Sequence, residues 1–278
     1  MTSHDVVAAA RRVLDTSRVG HGGTLDPDAT GVLLLGVGSV TRLLRFVTAL
    51  PKTYLAEIVL GVETTTLDAA GDVTATHDMS GVDDASVRAA AAALTGDILQ
   101  VPPMVSAVRV GGRRLHELAR EGKEVERAPR PVTVHRFEVS PAGRDRWHAE
   151  VDCSSGTYVR TLAADLGTAL GGGAHLGSLR RVAVGPFTAD EAVPLDDLGV
   201  GNLRPPADAV GWLPAVTVDS EVASAVTHGQ VLPLDVVAPG GGPPPVNWRV
   251  MDSTGALLAV YEPHTGERAK PSVVLAAQ

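Results

Sequence analysis

The sequence predicts an α+β fold, and three features carry that prediction. Segments of alternating apolar residues come in pairs around turns containing proline or glycine, as hairpins do. Helix-period segments lie among them without the regular strand–helix–strand alternation of a parallel α/β sheet. Hydrophobic residues make up 44% of the 278, enough for a sizeable buried core.

In chain order, Ser3 to Val19 reads as a helix. Ser3 is its candidate N-cap, and Val6, Val7, Ala10, Val13 and Leu14 form an apolar stripe. Gly20-His21-Gly22-Gly23 ends it, Thr24-Leu25-Asp26-Pro27 is turn-forming, and Val32 to Leu35 is an apolar run. Thr53 to Val62 alternates as a strand, and Ser86 to Leu94 has helical spacing. Arg114 to Arg120 also reads as helical. Val132 to Val139 and Trp147 to Cys153 read as strands around Pro141-Ala142-Gly143. Tyr158 to Leu170 is helical and stops at Gly171-Gly172-Gly173.

Pro205-Pro206 and Leu213-Pro214 then punctuate the chain, so we expect one domain over 1–212 and a smaller one over 213–278. The smaller one has short strand-like runs at Trp248 to Met251 and Leu257 to Tyr261, and a Gly- and Pro-rich loop from Gly240 to Pro245. At about sixty residues its independent stability is marginal.

Composition narrows the function classes. Cys153 is the single cysteine, which excludes an internal disulfide framework and a multi-cysteine zinc site. No stretch approaches the roughly 18 apolar residues of a membrane span. The first residues, Met1-Thr2-Ser3-His4-Asp5, lack the basic-then-apolar layout of a signal peptide, so a cytoplasmic location is expected. The net charge of −8 argues against a generic nucleic-acid binder, because phosphate contacts need cations. Yet Ala107 to Arg136 holds eight Arg or Lys against four Glu, while Glu57 to Asp97 holds eight acids and one Arg. An acidic protein with such a basic segment can bind RNA on one face, although the same run also fits a solvated helix of mixed charge.

The segment His21 to Gly31 is the most informative for chemistry. Its glycines let the backbone approach a ligand closely, and Pro27 restricts the geometry just after Asp26. An Asp-Pro beside glycines is also the composition of an ordinary turn. Asp26-Pro27-Asp28-Ala29-Thr30 matches the Asp-x-Asp-x-Thr of aspartyl-phosphate phosphatases, where the first Asp attacks and magnesium assists. Those enzymes place the motif directly after a buried apolar strand. Gly20-His21-Gly22-Gly23-Thr24 cannot form one.

Gly20-His21-x-Gly23-Thr24-Leu25-Asp26-Pro27-x-Ala29-x-Gly31 resembles the catalytic motif of the TruB family of pseudouridine synthases. Further blocks follow in the family's order: Lys52-x-Tyr54 and Thr65-x-x-Asp68-x-x-Gly71; Pro102-Pro103-Met104-x-Ser106-Ala107-x-Arg109; Ser155 to Leu162; and Gly173-Ala174-His175-Leu176-x-x-Leu179-Arg180-Arg181. The resemblance covers most of residues 1–190. It implies a pseudouridine synthase fold, with a mixed, mostly antiparallel sheet flanked by helices and loops. It also implies an RNA-gripping insertion at about 100–131 and, more weakly, a PUA-like C-terminal domain.

The implied activity is conversion of uridine to pseudouridine at position 55 in the tRNA T-loop, on the T-arm, by a monomer with no metal or other cofactor. Asp26 is then the essential carboxylate, which either attacks the substrate or removes a sugar proton. Arg160 is its implied partner; an adjacent guanidinium stabilises a charged carboxylate, and its planar fork orients it in a way lysine cannot. Tyr54 is implied to stack on the target base and is a candidate acceptor of its carbon-5 proton. Tyr158 lines the same pocket and Leu179 walls it, or serves as plain core. His21 meets the RNA or the flipped base. The base must leave its stack before Asp26 can reach it. The cations Arg109, Arg113, Arg114, Arg120 and Lys123 are the candidates for backbone contacts.

The sequence departs from the family pattern at its start. Met1-Thr2-Ser3 stands where a strand and a Lys-Pro element normally precede a Gly-Met-Thr-Ser segment. Loss of that strand is expected to expose a sheet edge and weaken support beneath the site. An RNA-binding module without catalysis is the remaining alternative, and it leaves Asp26, Tyr54 and Arg160 without a purpose.

Overall fold

The computed structural model describes residues 1–240 and 242–275, so Gly241 of the expected Gly- and Pro-rich loop lies outside the described residues. The described chain divides into two compact units, one of residues 26–32 and 49–192, the other of 1–25, 33–48 and 193–278.

The first unit is built on the alternation read near Thr53. The strand Lys52–Leu60 buries Lys52, Tyr54, Ala56, Ile58 and Leu60 on one face and turns Leu55 outward. It lies inside a seven-stranded sheet of order Phe187–Thr188, Ala174–Val184, Lys52–Leu60, Arg146–Cys153, Arg130–Pro141 and Gly96–Gln100. These neighbours are antiparallel; the seventh strand, Thr30–Gly31, runs parallel to Ala174–Val184. The sheet is therefore mixed and mostly antiparallel, as expected. Helices Asp84–Ala93 and Val159–Ala169 contribute Val87, Ala91, Leu162, Ala163 and Leu166 to the core with Ile58, Val134, Trp147 and Val151. Each such valine, leucine or isoleucine side chain contributes about 1.5–3 kcal/mol on burial. Gly171, at φ +81, ends the second helix where the triple glycine predicted a stop.

The second unit contains the helix Ser3–Val13, which is shorter than the expected Ser3 to Val19. It closes at Leu14, Asp15 takes a positive φ of 46°, and Val19 joins the strand Val19–His21 paired with Leu35–Val37. Thr2, and not Ser3, is its N-cap, in a capping box with Asp5. The Ser3 hydroxyl is engaged elsewhere, accepting from Leu25 N at 2.9 Å and donating to Leu25 O at 3.1 Å. A five-stranded sheet follows in the order Ala215–Thr217, Trp248–Met251, Leu257–Pro263, Arg268–Val274 and Leu232–Pro233. The buried Trp248 and Tyr261 fill its core, and their polar atoms reach the carbonyls of Val237 and Gln230. Leu43 packs with Val210, Leu257, Val260 and Val273, so Val40, Leu43 and Phe46 share a core with this sheet. No helix among the described residues is long and apolar enough to cross a membrane.

Candidate active site

Asp26 opens a turn. Ala29 N donates to Asp26 O at 3.0 Å, and Pro27 occupies the position whose fixed φ suits the first bend. The chain then runs beside Ala174–Val184, with Thr30 opposite Arg180 and Gly31 opposite Arg181. Val32 N donates to Arg181 O at 2.8 Å, and Arg181 Nε donates to Val32 O at 2.8 Å. Gly31 has φ +99, and a Cβ there would lie 2.1 Å from the Arg181 carbonyl oxygen. Only glycine permits this approach. The turn carrying Asp26 is therefore stitched to the sheet at its far end.

Arg160 sits at the start of the helix Val159–Ala169, behind Tyr158 as N-cap. The buried Gln100 side chain fixes that start: Tyr158 N donates to Gln100 Oε1 at 2.7 Å, and Gln100 Nε2 donates to Tyr158 O at 3.1 Å. The Arg160 side chain is 4% exposed and Asp26 is 38% exposed. Arg160 Nη2 donates to Asp26 Oδ1 at 3.1 Å and to Val105 O at 2.9 Å. Nε stands 3.0 Å from Asp26 Oδ2, off the line of its N–H, so that contact is ionic more than a hydrogen bond. Nη1 donates to Thr66 O at 3.1 Å and lies 3.4 Å from Asp68 Oδ2. A buried guanidinium thus hydrogen-bonds Asp26 and two carbonyls and pairs ionically with Asp68.

Asp68 was visible in the sequence only as part of a motif string. Three contacts place it: Thr64 Oγ1 donates to Asp68 O at 2.7 Å, Thr66 Oγ1 donates to Asp68 Oδ1, and a bridge joins Asp68 to Leu176. A hint lay in Thr65-x-x-Asp68-x-x-Gly71, but its partner is 92 positions away in the chain, beyond any local spacing argument.

Tyr54 lies on the same sheet, 9% exposed. Burial raises its hydroxyl pKa, while the Arg181 guanidinium bonded to it acts in the opposite direction and the Asp26 carboxylate adds to the rise. Lys52, two residues earlier and also buried, is pushed down to about 8 by burial and by Arg181. Leu179 is half-buried and packs on the core beside Ala56, and Tyr158 is half-buried at its helix cap. Asp26, Arg160, Tyr54, Tyr158 and Leu179 all belong to the unit of residues 26–32 and 49–192, whereas His21 belongs to the other, on the strand Val19–His21. Among the described residues no cluster of three or more His, Cys, Asp or Glu could hold a metal ion.

The five candidate backbone cations are all exposed. They lie on a small hairpin, with Arg109 opposite Arg114 and Val110 opposite Arg113, and on the helix Leu115–Arg120 and the turn after it. Arg113 and Lys123 both bind Glu121 and hold its carboxyl down at about 2.

The chain is similar to known proteins over most of its length. The description "TruB family pseudouridylate synthase (N terminal domain)" matches residues 11–159, and "tRNA pseudouridylate synthase B C-terminal domain" matches 160–203. Proteins named tRNA pseudouridine synthase B from Rhodococcus jostii and Thermobifida fusca are 52% and 46% identical to the chain. Each alignment covers 99% of this chain, with 90% and 94% of the relative. The relative from Symbiobacterium thermophilum is 50% identical over 82% of the chain and 78% of its own length. Among solved structures, the crystal structure of a Cbf5-Nop10-Gar1 complex aligns with TM-score 0.73 at 27% identity, over 100% of this chain and 81% of that one.

Proposed function

Because the chain belongs to the TruB family of pseudouridylate synthases, we propose that it converts uridine 55 in the T-loop of tRNA to pseudouridine, with Asp26 as the reacting carboxylate and no cofactor. The chain is an isomerase of uridine in tRNA by that membership. The finer assignment rests on one observation: a part-exposed carboxylate held by a buried guanidinium that is itself anchored on Asp68 and two backbone carbonyls.

The reaction is balanced within the nucleotide. The N1–C1′ bond breaks, the uracil turns, and a C5–C1′ bond forms; C5 loses a proton and N1 gains one, with no change of oxidation state. Asp26 serves either as nucleophile or as acceptor of a sugar proton, and both routes need a charged, oriented carboxylate. Arg160 supplies the orientation. Tyr54 is a neutral phenol at neutral pH, as any tyrosine near its ordinary value is, and burial moves it further that way, so accepting the carbon-5 proton requires its own proton to leave in the same step. Stacking and hydrogen bonding to the base need no such exchange. Tyr158 and Leu179 are the further candidates for contact with a base turned out of its stack, which costs a few kcal/mol, and His21, on the other unit, is a candidate for contact with the RNA. Arg109, Arg113, Arg114, Arg120 and Lys123 lie on an exposed hairpin and helix suited to phosphate contacts along the T-arm. A monomeric, cytoplasmic enzyme is part of the same proposal, as is a small PUA-like domain over 213–278, which the separate sheet of residues 215–274 supports.

The test is direct. Asp26→Asn, incubated with an unmodified tRNA transcript, should bind with wild-type affinity and make no pseudouridine in the T-loop. Wild-type turnover by this variant refutes the assignment.

A further inference from the structure

Arg181 is 1% exposed, the most buried cation among the described residues. It lies directly across from Tyr54 in the register of Ala174–Val184 with Lys52–Leu60, and both side chains are buried. Arg181 Nε donates to Val32 O at 2.8 Å, which fixes one edge of the guanidinium against the end of the Asp26 turn. The guanidinium also acts on the Tyr54 hydroxyl, against the rise in its pKa that burial causes. One side chain thus joins the segment carrying the reacting carboxylate to the ring that meets the base.

We propose that Arg181 is a positioning residue for the isomerisation: held by the Val32 carbonyl, it donates to the Tyr54 hydroxyl oxygen and so turns the phenol proton outward, toward the uracil that Asp26 engages. The reasoning is one of donor and acceptor inventory. A guanidinium has five donors and no acceptor, and a phenol oxygen has one proton and two lone pairs. Where the oxygen accepts from Arg181, its proton has to point elsewhere. Tyr54 is thereby presented as a hydrogen-bond donor of fixed direction, in a site too buried for water to perform that role freely. An arginine that merely tied the turn to the sheet would not depend on the hydroxyl.

This inference rests on the reading of the site as a uridine isomerase, and the experiment separates the two. Single-turnover rates at saturating unmodified tRNA are measured for wild type, Tyr54→Phe, Arg181→Met, Arg181→Lys and the two double variants. No pseudouridine from wild type overturns the functional reading itself, and this inference with it. With an active wild type, Arg181→Met should slow the chemical step about 100-fold, the scale of a lost oriented donor, and leave tRNA affinity unchanged. Arg181→Lys should recover part of that loss. In the Tyr54→Phe background, Arg181→Met should change the rate less than about 3-fold, because coupled residues are non-additive. Multiplying, independent losses overturn the inference. A second measurement leaves Arg181 intact and covers the case in which its variants do not fold. In ¹⁵N spectra of the arginine side chains, Tyr54→Phe should shift a slowly exchanging guanidinium N–H resonance. An unchanged spectrum overturns the inference.

Discussion

Replacing Arg160 by lysine keeps the positive charge and removes the fork. In the native site three acceptors take hydrogen bonds from two nitrogens, Asp26 Oδ1 and Val105 O from Nη2 and Thr66 O from Nη1, while Asp68 Oδ2 pairs ionically with Nη1 at 3.4 Å. An ammonium carries its three donors on a single atom and cannot span acceptors reached from two separate nitrogens, so at least one acceptor loses its partner. If that acceptor is Thr66 O or Val105 O, the unsatisfied group costs about 1–3 kcal/mol. Asp26 is 38% exposed, so water replaces much of its share and its loss adds little to stability. A change of about 1–3 kcal/mol lowers the melting temperature by roughly 2–4 °C per kcal/mol. Catalysis should suffer more than stability. A carboxylate freed to move by about 1 Å loses on the order of 100-fold in rate. The assay is thermal unfolding alongside single-turnover pseudouridine formation at saturating tRNA, with tRNA affinity measured separately. A folded Arg160→Lys protein with an unchanged rate constant refutes the argument that the fork geometry orients Asp26.

Three further outcomes are expected. Gly31→Ala places a methyl group 2.1 Å from the Arg181 carbonyl and at a φ that disfavours alanine; it should cost at least about 1–2 kcal/mol from the backbone alone and reduce turnover, and an unchanged melting temperature contradicts this. Arg113→Ala should weaken tRNA binding less than Arg114→Ala, because Arg113 is already engaged by Glu121; the Arg114 variant should flatten the log–log salt dependence by about one unit, and the reverse order refutes the assignment of these contacts. Lys52, at about 8 in the folded protein against the ordinary lysine value of 10.5, binds fewer protons folded than unfolded between those two values. Its contribution to stability therefore rises with pH across that window and is lost as pH falls through 8. Lys52→Met should show a stability advantage over wild type, or a reduced deficit, that shifts against the variant as pH rises from 8 to 10; unfolding curves with a constant difference contradict it.

The parts of this fold that were legible in the sequence are those with an unbroken period. Lys52–Leu60 alternates cleanly, and its burial follows the alternation residue by residue. The helix Val159–Ala169 shows its stop in three glycines. The strand Ala174–Val184 gave no such signal, although it is the partner that holds both the Asp26 turn and Tyr54 in place. Irregularities between Leu176 and Ser178 and between Arg181 and Ala183 break the two-residue period, so a pattern search sees no strand there. In the first helix, the apolar residues beyond Val13 continued the helical stripe, but Val19 serves a strand. Composition did not mark that change. Within the site, Asp26 and Arg160 were found through their motifs, while the roles of Asp68 and Arg181 depend on contacts made across the fold. Their spacing along the chain carries no trace of those contacts.

The amide of Gln100 has a consequence for how the chain tolerates change. By matching both the N–H and the C=O of Tyr158, it behaves like one rung of an extra strand and fixes where the helical winding begins. An α-helix advances about 100° per residue. One residue inserted or deleted between that rung and Arg160 would swing the guanidinium a quarter-turn or more away from both acidic partners, even with the helix otherwise intact. Length variation in the chain is cheap in the outlying loops and ruinous across those two peptide bonds.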